Sequence, residues 1–120
     1  MEMALLILDK NASIEDMIKA YHGVNQEIRE KYGSQSITVL ANDEAMQGNE
    51  RHFSEQANII FLPDWQINAS YRNMLRQALG SENIYIMKKD GDCWKYVKAS
   101  KDDYEVLDLD GNINIKPKNH

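Results

Sequence analysis

The chain has 120 residues, 42% of them hydrophobic and 28% charged, and a formal net charge of -5 from 19 acidic and 14 basic side chains. That length suits one ordinary core and not two, the composition excludes a disordered chain, and the negative balance opposes a phosphate backbone, so no nucleic-acid partner is expected. The single cysteine, Cys93, excludes an internal disulfide and a cysteine-rich zinc site.

Residues 3–8, MALLIL, are apolar without alternation, which predicts a strand covered on both faces. The same run is too short for the apolar part of a signal peptide or for a membrane span, so a cytoplasmic protein without a membrane partner is expected. Ser13 then offers a helix cap. Ile14, Met17, Ile18, Tyr21, Val24, Ile28 and Tyr32 follow at spacings of three, four and seven, one helical stripe that Gly33 ends. SITVLA, residues 36–41, reads as a second strand rich in branched side chains. A short helix is expected over residues 50–57. NIIFL, residues 58–62, reads as a third buried strand, closed by Pro63, which has no amide hydrogen to give a ladder. A third helix runs through Tyr71, Met74, Leu75, Ala78 and Leu79 to Gly80, and NIYIM, residues 83–87, is a fourth strand.

Strand and helix alternate as far as Met87, which predicts a parallel sheet. Beyond it, CWKYVKAS, YEVLDLD and NINIKP are short runs separated by turn chemistry such as Asp110-Gly111. The expected fold is therefore α/β: a Rossmann-like, mainly parallel sheet flanked by helices, with a C-terminal antiparallel β-meander. One domain over 1–120 is expected, with 1–87 as the α/β core and 88–120 as the β extension. Ile18, Ile60 and Leu75 are expected in the core. Lys88, Lys89, Lys95, Lys98 and Lys101 are interrupted by Asp90, Asp92, Asp102 and Asp103, and read as a solvated mixed-charge face.

Ligands of open parallel sheets sit beyond the carboxyl ends of the strands. Those ends supply Asp9, Lys10 and Asn11, then Asn42, Asp43 and Glu44, then Asp64 and Trp65. Trp65 can stack on a flat ring or pack as a lid. Asn68, Ser70 and Arg72 open the third helix, whose free amides favour an anion, although Asn68 also suffices as a plain cap. No metal site is expected, because His22 and His52 have no partner at ligand spacing. No cofactor is expected either.

Over residues 53–87, Leu62-Pro63-Asp64-Trp65 and Ala78-Leu79-Gly80 resemble the second half of the nucleoside 2-deoxyribosyltransferase-like families, in which a Leu-Pro-Gly-Trp-like turn precedes a helix carrying a glutamate and ending Ala-Leu-Gly. The resemblance implies a Rossmann-like fold, often a homo-oligomer, that grips a nucleoside or nucleotide and cleaves its glycosidic bond through a carboxylate nucleophile. This chain has Arg72 or Asn73 where that glutamate would fall, and no acidic residue between Trp65 and Gly80. Catalytic residues are therefore not expected. The leading expectation is a small nucleotide- or nucleoside-binding protein that sequesters or senses its ligand. The alternatives are an acidic interaction module for a basic protein partner, of inhibitor or immunity type, and a glycosidase-like enzyme drawing its carboxylate from Asp9, Asp43 or Asp64.

Overall fold

A computed structural model describes residues 2–61 and 64–118. Strand β1 (Met3–Ile7) is buried at every position, as its unbroken apolar sequence requires. Helix α1 (Ile14–Tyr32) starts at Ser13, whose hydroxyl accepts the Asp16 amide at 3.1 Å, and its stripe Met17, Ile18, Val24 and Ile28 is buried. Then come β2 (Ile37–Ala41), the single-turn α2 (Asp43–Met46) and α3 (Glu50–Ala57). A 3-10 turn, Trp65–Ile67, leads into α4 (Ala69–Leu79), where the Asn68 side chain caps the amides of Ser70 and Tyr71. The chain ends in β3 (Ile84–Asp90), β4 (Cys93–Lys98), β5 (Tyr104–Leu109) and β6 (Asn112–Pro117).

The sheet order is β2-β1-β3-β4. Strand β1 runs parallel to both neighbours, and β4 pairs antiparallel with β3. Alternate side chains divide the core into two layers. Ala4, Leu6, Leu8, Leu40, Tyr85 and Met87 face α1 together with Met46 and Phe53. Leu5, Ile7, Val39, Ala41 and Ile86 face Leu75 and Ala78 of α4. Ile113 and Ile115 of β6 complete that second layer, so the last hairpin is packed into the fold and is no appendage. Among the described residues, no helix is long and apolar enough to cross a membrane.

Two expectations need correction. The four-stranded, mostly parallel sheet exists, but the run over residues 58–61 is not one of its strands. Asn58 leaves α3 in a left-handed conformation (φ 57°), after which Phe61 turns inward against Phe53 and Trp65 while Ile60 is 87% exposed. The Tyr71 hydroxyl donates to the Leu40 carbonyl of β2 at 2.7 Å. Leu40 falls on the alternate residues of β2 that point away from β1 in a parallel ladder, so this side chain occupies a group another strand would need. Ile60 is accordingly not a core residue, whereas Ile18 and Leu75 are buried. Leu62 and Pro63, on which the expected strand end rests, lie outside the described residues. The C-terminal part is likewise not one meander: β4 joins the main sheet, and β5 and β6 form a separate hairpin. Its turn carries Asp110 and Gly111 at φ 51° and 82°, the geometry that Asp-Gly favours between antiparallel strands.

Candidate functional site

The carboxyl end of β1 is shaped by local hydrogen bonds. Asp9 Oδ1 accepts the Asn11 amide at 2.9 Å and its carbonyl accepts the Ala12 amide at 3.0 Å, which turns the chain tightly into α1. At the end of β2, Asn42 adopts φ 85°, a region that asparagine tolerates better than most residues. Its Nδ2 donates to the Leu8 carbonyl at 2.8 Å and ties the two strand ends together. Across the same gap, Lys10 and Glu44 form an ion pair at 3.0 Å. With Asn11 and with Lys116 and Pro117 of β6, these residues enclose a polar pocket of about 80 Å³.

A larger depression of about 480 Å³ lies on the other side of Asp9 and shares Asp9 and Pro117 with the first. Its origin is a difference in strand length. Of the residues of β3, only Ile84, Tyr85 and Ile86 pair with β1, so β3 runs on past the end of β1 with β4 as its sole partner. That overhang carries Lys88 and Lys89, and Trp94 pairs with Lys89 in the register. Lys118 closes the rim. Lys88 is held by Asp103 at 2.8 Å, and this bond, with the Ser100 amide at 2.8 Å, keeps the Asp103 carboxyl below the usual aspartate value.

The residues expected at the site fall into three groups. Asp9, Lys10, Asn11, Asn42 and Glu44 line the polar pocket together. Trp65, Asn68 and Ser70 instead line an apolar cavity of about 150 Å³ beside β2, with Leu40, Tyr71 and Met74. Trp65 is 7% exposed there, edge-on to Tyr71 at 5.0 Å, with its Nε1 donating to Glu50 at 3.4 Å, so its indole serves as packing. Asp43 accepts from the Tyr71 hydroxyl at 3.4 Å, and burial raises its carboxyl above the ordinary value in spite of that bond. Arg72 donates to Asn112 at 2.9 Å and so fastens α4 to the last hairpin, while Asp64 is exposed.

The sequence reading missed Lys88, Lys89, Trp94, Lys116, Pro117 and Lys118. Lys88 and Lys89 directly follow the apolar run that ends at Met87, so the carboxyl-end rule applied to the fourth strand would have found them. Among the described residues no three His, Cys, Asp or Glu side chains converge as a metal site. The chain matches no protein-family model, and comparisons with curated proteins and with solved structures gave no match. The polar pocket sets the carboxylates of Asp9 and Glu44 beside Lys10 and Lys116, the larger depression sets Trp94, Lys88, Lys89 and Lys118 beside Asp103, and Asp9 lines both.

Proposed function

We propose that the protein binds a small nucleoside- or nucleotide-like ligand in the cleft over Asp9 and does not transform it. The observation that supports this reading is that the two depressions share Asp9 and Pro117 and so adjoin at the carboxyl edge of the parallel strands. An indole offers stacking to a flat ring, and lysines favour an anionic group. The resemblance over residues 53–87 points to the same ligand class. Binding without chemistry accords with the resemblance, in which Arg72 or Asn73 falls where the nucleophilic glutamate would be. A cytoplasmic setting belongs to the same proposal.

Thermal denaturation against nucleosides, nucleotides and cyclic dinucleotides tests it, since a ligand at one hundred times its dissociation constant adds roughly 2.7 kcal/mol. Trp94→Ala should weaken binding by about 1 to 3 kcal/mol, the range for lost base stacking. No stabilisation by any of these compounds would refute the reading. A second reading, the acidic interaction module, is favoured by β5, where Leu107 and Leu109 are exposed beside Glu105 and Asp108. A silent ligand screen would put that reading first.

A further inference from the structure

We infer that the free edge of β2 and the apolar cavity beside it form a second binding site, for an uncharged flat heterocycle that carries a ring N–H next to a carbonyl, as a lactam does. The site stands apart from the nucleotide-binding reading. The cavity shares no described lining residue with the cleft over Asp9, and among its described lining residues there is no lysine or arginine to meet a phosphate. Its position follows from the alternation of β2. The Thr38 hydroxyl bonds to Asn25 of α1, Val39 packs in the layer of α4 and Leu40 in the layer of α1, yet all three residues line the one cavity. Residues on opposite faces of a strand meet a common space only at its edge, so the cavity lies against the backbone there.

That edge has unused groups. The Ile37 amide donates to Glu2 and the Ala41 carbonyl accepts from Leu8, which turns residues 37, 39 and 41 toward β1 and residues 38 and 40 away from it. Among the described residues β1 is the only sheet neighbour of β2. The Leu40 carbonyl is taken by the Tyr71 hydroxyl at 2.7 Å, whereas among the described residues nothing bonds the Thr38 amide, the Thr38 carbonyl or the Leu40 amide. Thr38 and Leu40 are only 8% and 5% exposed, so backbone groups left unanswered here are costly. A further strand, whether residues 58–61, a second copy or a peptide, would need the Leu40 carbonyl that Tyr71 holds. A lactam does not: its N–H meets the Thr38 carbonyl and its C=O meets the Leu40 amide. The walls suit its ring. Ile59, Phe61, Trp65 and Met74 line the cavity, and its volume of about 150 Å³ matches that of an engineered apolar cavity that takes up benzene, so there is room for at least one ring.

Amide NMR of the labelled full chain, titrated with 2-quinolinone and separately with its N-methyl form, tests this. The lactam should bind with its largest shifts at Thr38 to Leu40, the Leu40 amide proton moving downfield as it gains an acceptor. The N-methyl form keeps the ring and the carbonyl but cannot donate to Thr38. It should bind at least about tenfold more weakly, since a site that hydrogen-bonds an N–H rejects the analogue without it. Ser70→Trp, at an exposed position that lines the cavity, should cause a similar loss with the rest of the amide spectrum kept. If that variant does not fold, the comparison of the two compounds on the unaltered protein decides alone. Equal affinity for the two would overturn the inference and leave an apolar cavity without a reading edge. Shifts centred elsewhere, or no binding up to the solubility limit, would overturn it too. So would Thr38 and Leu40 amides as protected from exchange in the free protein as those of β1, because a strand would then cover the edge. None of these results bears on nucleotide binding over Asp9, which the nucleotide screen decides separately.

Discussion

Replacing Tyr71 by Phe removes one oxygen from a joint that holds the outer edge of β2. The ring stays edge-on to Trp65 at 5.0 Å, so packing is preserved. Two bonds are lost, a short one of 2.7 Å to the Leu40 carbonyl and a longer one of 3.4 Å to Asp43. Leu40 is buried, so the loss should cost about 1 to 3 kcal/mol, the range for a buried acceptor without its donor. For a chain of this size, each kcal/mol lowers Tm by roughly 3 to 6 °C. The deficit should also depend on pH. Burial already raises the folded-state value of Asp43, so its ionised form is a burden on the native state at neutral pH, relieved as pH falls through the raised value toward the ordinary one. The tyrosine hydroxyl opposes that rise, and its removal should push the value up further. The difference between wild type and Tyr71→Phe should therefore be larger at pH 7 than in acid. Urea unfolding at several pH values, with an NMR titration of Asp43, measures both effects. An unchanged Tm together with an unchanged Asp43 titration would refute the role assigned to this hydroxyl.

Ile115→Ala should cost roughly 2 to 5 kcal/mol in denaturant unfolding, as for a large core side chain, while Ile60→Ala should stay within about 0.5 kcal/mol. Similar losses at both would contradict the placement of residues 58–61 outside the sheet. Lys88→Met removes the ammonium that depresses Asp103. The stability from that depression is present above the ordinary aspartate value and lost as pH falls through the folded-state value, so the two proteins should differ at neutral pH and converge in strong acid. Gly111→Ala should destabilise the last hairpin, because φ of 82° strains a side chain, and faster amide exchange in β5 and β6 would report it.

How much was legible in the sequence depended on whether local pattern and tertiary pairing agreed. Residues 3–8 had one reading, since an unbroken apolar run leaves no solvent face, and the bounds of α3 and β6 followed from local periodicity and turns. Residues 58–61 carried the same apolar signal and became irregular chain. Their fate rested on the left-handed exit at Asn58 and on Tyr71, thirteen residues from Asn58, holding the edge of β2. The polar half of the cleft was legible because Asp9 and Asn42 end adjacent parallel strands. The larger half was not. It depends on β3 outrunning β1 and on Pro117 returning beside Asp9, and neither a strand-length difference nor a long-range return has a local signature.

The measurement closest to the central claim is a map of backbone amide chemical shifts as the best-binding nucleoside 5′-monophosphate is added. Concerted changes are expected at Asp9 to Ala12, at Asn42 to Glu44, at Lys88, Lys89 and Trp94, and at Lys116 and Lys118, with β5 silent. Changes confined to the apolar cavity around Trp65 and Tyr71, or to Leu107 and Leu109 on β5, would contradict a ligand site over Asp9.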